Sequence, residues 1–225
     1  WKEQYKIDHQ RHKEYFTFYH KFTALDSGVA DLTICLFGYY DYLNANIIVE
    51  DEIKMNGPEM TTLWLSNDIK DKEEQLDYTK VLLRIADNNN LHLIQDLAIT
   101  YKLPFAGTSK TDLDAMINKV KIWVGQGKII VNPRCEQLLG SLQHGKWAKN
   151  KRGELFAKSK KFGHYDALAA LVYLVRNIES IMNNPIPQTY GLGPNHNIPQ
   201  KLKENRNASE DSRNLASILS NNLRR

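Results

Sequence analysis

A change of hydrophobic rhythm near Val81 constrains this chain most. Ahead of it lie three strand-like runs, at about 22–26, 32–40 and 46–53, parted only by Ser27-Gly28 and the region of Asn44 and Asn46. Turn signals this short imply an antiparallel three-strand meander. Pro58 is placed to open a helix running to about Asp71, since proline is tolerated at a first helical position. Beyond Val81, strand-like and helix-like segments alternate. Residues 81–86 read as a strand, and Leu91, Ile94, Leu97, Ala98 and Tyr101 recur at helical spacing. Residues 103–106 read as a short strand, followed by Thr111-Asp112-Leu113-Asp114, a capping arrangement with Asp in place of the usual Glu. Leu113, Met116, Ile117, Val120 and Val124 make the next helical face, closed by Gly125 and Gly127. A strand at 129–131, a helix from Pro133 to Leu142 and the most apolar helix, 167–182, complete the pattern; Met116, Trp123 and Met182 read as core. The order βββ-α-β-α-β-α-β-α-α implies an α/β fold: a mixed sheet, antiparallel and then parallel, with helices on both faces.

The 225 residues hold one large domain or two small ones, and 42% hydrophobic content with four Trp and eleven Tyr suffices for a core. Residues 1–21 lack periodicity and read as a linker or amino-terminal extension, 22–183 as the main domain, and 184–225 as a flexible tail. That tail is rich in Asn, Pro, Gln and Gly, with a short helix around Leu215, Ile218, Leu219 and Leu223. The start at Trp1 rather than Met is what a domain excised from a longer protein would show. Cys35 and Cys135 lie in apolar segments without CxxC spacing, which fits a reducing compartment. No apolar run reaches membrane-spanning length, no signal peptide is visible, and no GxxxxGK[ST] loop occurs, so no P-loop nucleotide site lies within these residues.

Three aspartates stand where apolar runs end or a helix begins. They are Asp26 after Phe22-Thr23-Ala24-Leu25, Asp87 after Leu82-Leu83-Arg84-Ile85-Ala86, and Asp166 ahead of Ala167. Each has an ordinary explanation: a turn aspartate at Asp26, a helix N-cap at Asp87, a favourable charge against the helix dipole at Asp166. Unpaired carboxylates beside buried segments are costly to desolvate, and a divalent cation held by hard oxygens removes that cost. At one sheet edge the three would suit two-metal hydrolysis of a phosphodiester. His164, two residues before Asp166, is either a helix-entry residue or a second-metal or proton-handling group. Asp31 and Glu52 are outer-shell candidates or solvated loop carboxylates.

Between residues 146 and 161 the chain carries Lys146, Lys149, Lys151, Arg152, Lys158, Lys160 and Lys161 against the single acid Glu154, with Trp147 and Phe156 interleaved and Phe162 just beyond. The turn at 150–153 suggests a basic β-hairpin. It is either a solvated loop or a cradle that holds a nucleic-acid backbone without reading its sequence and feeds it to Asp166. The net charge of +4 is compatible with such a partner. Lys110, in Gly107-Thr108-Ser109-Lys110, is a phosphate contact or an exposed loop lysine.

Together, Ala24-Leu25-Asp26-Ser27-Gly28, Arg84-Ile85-Ala86-Asp87 and His164-Tyr165-Asp166-Ala167-Leu168-Ala169-Ala170-Leu171 resemble the nuclease domain of tailed-phage terminase large subunits. So do Lys110, Gly127-Lys128-Ile129-Ile130-Val131-Asn132-Pro133, Cys135 and Trp147 between them. The similarity spans roughly Phe22 to Asn183 and departs from the family where Asp87 is followed by three asparagines. The resemblance implies an RNase H-like fold and a Mg²⁺- or Mn²⁺-dependent endonuclease, with two ions in the active complex, that cuts concatemeric double-stranded viral DNA. It casts Asp26, Asp87 and Asp166 as catalytic acids and metal ligands, His164 as an accessory position and the basic hairpin as DNA-facing. It also implies an ATPase motor domain, a small terminase subunit and a portal as partners, no membrane, and action in the host-cell cytoplasm during virion assembly. The alternatives are another RNase H-like nuclease, resolvase- or transposase-like, or a non-catalytic DNA- or portal-binding module.

Overall fold

The structure, a computed structural model, describes residues 2–6, 16, 19–28, 32–42, 44–56, 60–145 and 165–181, the side chains at 179–181 excepted. The chain divides into two units, Trp1–Asn184 and Pro185–Arg225. All of the second unit, with the short helix expected there, lies outside the described residues, as does Met182.

Six strands form one sheet: β1 (His20–Asp26), β2 (Leu32–Asp41), β3 (Asn46–Asn56), β4 (Val81–Asp87), β5 (Ala106–Thr108) and β6 (Ile129–Val131). Their order across the sheet is β5-β4-β1-β2-β3-β6. β1, β2 and β3 form the expected antiparallel meander. β4 then adds parallel to β1, β5 parallel to β4, and β6 parallel to β3. Side chains alternate between the two faces of such strands, and both faces are covered. Phe22, Ala24, Ile34, Leu36, Ile47, Val49 and Ile85 pack under α3 (Leu113–Gly125), α4 (Glu136–His144) and α5 (Asp166–Ile181). Leu25, Cys35, Phe37, Ile53 and Ala86 pack under α1 (Thr62–Gln75) and α2 (Leu91–Ile99). The expected mixed sheet with helices on both faces is what the chain forms.

Charged side chains fix three of these contacts. Glu73, buried on α1, accepts from Arg84 of β4 through both oxygens (2.9 and 2.6 Å) and from Thr23 Oγ1 of β1 (2.9 Å). Stranding one partner of such a buried pair costs roughly 3–5 kcal/mol, so Glu73 anchors α1 to two strands at once. Glu52 of β3 accepts from the backbone amides of Gln137 (2.6 Å) and Leu138 (3.0 Å). It thereby caps α4, whose own N-cap residue, Cys135, makes no side-chain cap bond. The third contact depends on a register shift between Phe37 and Gly38, which sit opposite Asp51 and Val49 and so leave Glu50 as the extra residue of a bulge. Gly38 permits this close approach: a Cβ there would lie 2.6 Å from the Ile48 carbonyl oxygen. Glu50 is buried and accepts from the Tyr78 hydroxyl at 3.0 Å. Its neighbours include Lys21, itself only 2% exposed, whose ammonium stands 4.5 Å from the Phe16 ring centre. Burial pushes the Glu50 carboxyl up to about 7, against the opposing pull of the Tyr78 bond and of Arg134 and Lys21.

Several boundaries differ from the sequence expectation. Pro58 lies outside the described residues; α1 starts at Thr62, where Thr61 Oγ1 caps the Trp64 amide, and continues past Asp71 to Gln75 because Glu73 turns inward. Residues 103–106 are not the strand. Leu103 and Phe105 are buried, but Pro104 between them has no N–H to give a ladder, and β5 forms at Ala106–Thr108. The capping arrangement at Thr111 does not form: Asp112 is the N-cap of α3, in a left-handed conformation (φ 56°), and makes no side-chain cap bond. A turn in which Asn132 accepts from the Arg134 and Cys135 amides delays α4 to Glu136, and the helix runs to His144. Tyr19, His20 and Lys21, assigned to the leading extension, stand at the head of β1, with Tyr19 stacked on Tyr39 at 5.1 Å. Glu52 is a helix cap rather than a solvated or outer-shell acid, and Asp31 is outside the described residues.

Glu50 gives this scaffold a pH signature. A carboxyl raised in the folded state stabilises the fold fully below its unfolded value of 4.5, and the contribution is lost as pH rises through about 7. Urea denaturation of Glu50→Gln between pH 4.5 and 8 should show a flatter fall of stability with pH than the parent, and an identical slope would show that Glu50 does not titrate in this window.

Candidate active site

The site follows from strand register. Leu25 of β1 is opposite Ala86 of β4 in a parallel pair, so the next residues, Asp26 and Asp87, end the two strands side by side. Both share the parity of Ala24 and Ile85, which face α5. Asp166 opens α5, the helix packed across β1, β2 and β4, and is 7% exposed; Asp87 is 9% exposed. Seven and eleven residues further along α5, Tyr173 and Asn177 lie on the same helical face as Asp166.

Asp26 feels the convergence. Burial first, then the charges of Asp166 and Asp87, push its carboxyl from 3.8 up to about 8, and Lys110 only partly offsets them. Tyr173, buried beside the cluster, has its hydroxyl held well above the phenol range by burial and by Asp26, Asp87 and Asp166. Asp87 is held from two sides: the Asn89 amide donates to Oδ1 (3.2 Å) and the Lys110 ammonium to Oδ2 (2.7 Å). Lys110, read from the sequence as a phosphate contact or an exposed loop lysine, thus has its charge on a carboxylate of the cluster. Among the described residues, no three carboxylate, imidazole or thiol groups are spaced to grip a metal ion as they stand. The donors are nonetheless all hard oxygens, carried on three separate elements, with more negative charge than one ammonium balances. That donor set fits a divalent cation of the Mg²⁺ or Mn²⁺ type.

Of the three asparagines after Asp87, two act through their side chains and Asn89 through its backbone N–H. Asn88 Nδ2 donates to the Thr108 carbonyl (2.9 Å), the Asn89 amide serves Asp87, and Asn90 Oδ1 caps α2 at the Leu93 amide (3.3 Å). Asp87 is therefore not itself the N-cap of α2. Gly107 leaves room for this arrangement, since an added Cβ would run into Asn88 Oδ1 and displace that side chain. The sequence reading missed Tyr173, Asn177 and Asn88; polar residues in helical register with Asp166 on an otherwise apolar helix were the available signal for the first two. His164 and the basic residues Lys146, Lys149, Lys151, Arg152, Lys158, Lys160 and Lys161 lie outside the described residues.

No protein-family model matches the sequence, and no curated protein matches it by sequence. Solved structures do match by fold. The large terminase of a thermophilic bacteriophage superposes with a TM-score of 0.58 at 18% identity, over 71% of this chain and 40% of that one. The nuclease domain of the large terminase of bacteriophage SPP1, solved with bound Mn, gives 0.54 at 16% identity over 76% and 91% of the two chains. The P22 large terminase nuclease domain gives 0.52 at 14% over 69% and 79%. The fold is thus the RNase H-like fold of terminase nuclease domains, and the chain spans about 40% of the length of the thermophilic phage's terminase.

The cluster's repulsion should be measurable without any metal. The Asp26 carboxyl contributes stability that is full below 3.8 and is lost as pH rises through about 8. In EDTA, Asp26→Asn should melt higher than the parent at pH 9 and lose that advantage toward pH 4; a variant less stable at pH 9 would mean that Asp26 is not repelled there.

Proposed function

We propose that residues 22–183 are the metal-dependent endonuclease domain of a viral DNA-packaging terminase, which cuts concatemeric double-stranded DNA. The observation that carries this reading is the convergence of Asp26, Asp87 and Asp166, registered in the raised Asp26 carboxyl. Two Mg²⁺ or Mn²⁺ ions, when bound, supply an activated water and stabilise the leaving oxygen of a phosphodiester.

The chain's own part is placement. Asp26 and Asp87 end adjacent parallel strands and Asp166 begins a buried helix, so their oxygens approach from rigid elements rather than loops. Tyr173 lies buried on α5, close enough to the cluster for its hydroxyl to feel all three carboxylates. Burial and the two neighbouring acids raise the Asp26 carboxyl, so it would give up its proton more readily with a cation held beside it. The basic residues between 146 and 161 precede Asp166 in sequence, and a DNA backbone held by them would be delivered to the carboxylates. His164 is assigned the accessory proton-handling or second-metal role. The ATPase motor domain, the small terminase subunit and the portal are the proposed partners, and the host-cell cytoplasm during virion assembly the proposed location. No helix among the described residues is long and apolar enough to cross a membrane.

The purified chain should nick or cut plasmid DNA with Mn²⁺ or Mg²⁺ and stop in EDTA. Asp26→Asn, Asp87→Asn and Asp166→Asn should each lower the rate by on the order of 10³ or more. Variants that cut as well as the parent would remove these residues from the site. Neutralising Lys149, Lys151 and Arg152 should weaken DNA binding and flatten its salt dependence; an unchanged slope would take the basic segment out of the interface.

A further inference from the structure

The loop that carries Lys110 is held on several sides. Asn177 Nδ2 donates to Thr108 Oγ1 (3.0 Å), Asn88 Nδ2 to the Thr108 carbonyl (2.9 Å), and Arg176 to the Thr111 carbonyl (2.7 Å) and hydroxyl (3.2 Å). The backbone is therefore fixed, and what remains adjustable is the four-carbon stem of the lysine. Its side chain is 32% exposed against 11% for Asp87, and its ammonium sits 2.7 Å from Asp87 Oδ2 and 5.9 Å from the Tyr173 ring centre. A single monovalent charge stands against three carboxylates, seated on one oxygen of Asp87.

We propose that Lys110 is a built-in counter-cation of the acid cluster, occupying Asp87 Oδ2 until a divalent cation displaces it. This inference rests on reading the three aspartates as a cation site. The ammonium lessens repulsion in the metal-free protein and competes with the metal for the same oxygen. Once displaced, it stays within reach of the site because Arg176 and Asn177 hold the flanking Thr111 and Thr108, and an anionic phosphate is its natural next partner. Lys110 is thus a positioning residue that sets how readily the site loads.

The test is Mn²⁺ binding to the full chain, followed by electron paramagnetic resonance of free Mn²⁺ and by melting temperature with and without the ion. Lys110→Met should bind Mn²⁺ several-fold more tightly than the parent, melt lower in EDTA and show a larger rise on adding Mn²⁺. Lys110→Arg, which keeps the charge, should stay near the parent in all three. If Lys110→Met binds Mn²⁺ equally or more weakly while Asp87→Asn loses binding, the counter-cation role is wrong and the aspartate site stands. If the parent binds no Mn²⁺, or the aspartate variants bind it as the parent does, both fail.

Discussion

Parallel pairing of β1 with β4 is the constraint on which the rest depends. Because Leu25 is matched to Ala86, Asp26 and Asp87 cannot avoid ending at one height, and shared parity sends both to the face covered by α5. A slip of one residue would turn one carboxylate to the α1 face and abolish the cluster. The register is held by contacts remote from the acids. Glu73 ties β1, β4 and α1 through Thr23 and Arg84, and the alternating core of Phe22, Ala24 and Ile85 leaves no second way to seat the strand.

The same placement opposes stability. Three carboxylates in partly buried positions raise the free energy of the metal-free fold, and the raised Asp26 carboxyl records that cost. The surrounding structure offsets it with few devices: the Asn89 amide and Lys110 at Asp87, and the start of α5 at Asp166, where the helix dipole favours negative charge. Natural proteins tolerate such conflicts chiefly at functional sites. Glu50 and Lys21, buried amid tyrosines at the other end of β1, pose a similar problem with a different solution, each charge partly compensating the other.

The element order and the three aspartates were legible in the sequence because both faces of the sheet are buried. Continuous apolar runs ending abruptly in Asp are a strong local signal; the antiparallel start followed from turn length and the parallel remainder from the alternation of strands with helices. What was not legible depends on contacts distant along the chain. Nothing near Glu52 says that it caps a helix beginning 84 residues later at Glu136, and nothing near Lys110 says that its charge returns to Asp87. The strand expected at 103–106 failed for a local reason, Pro104, whose missing amide competes directly with the apolar signal of Leu103 and Phe105. Of the asparagines after Asp87, Asn88 and Asn90 use their side chains, on Thr108 and the Leu93 amide, whereas Asn89 serves Asp87 through its backbone N–H alone.

The claim that the three aspartates act as one cation site is tested most directly by Mn²⁺ anomalous scattering from crystals of the chain. Anomalous peaks bounded by the carboxylates of Asp26, Asp87 and Asp166, and absent when Asp87 is replaced by Asn, are the predicted result. Peaks only elsewhere on the surface, or none at Mn²⁺ concentrations that support DNA cutting, would contradict it.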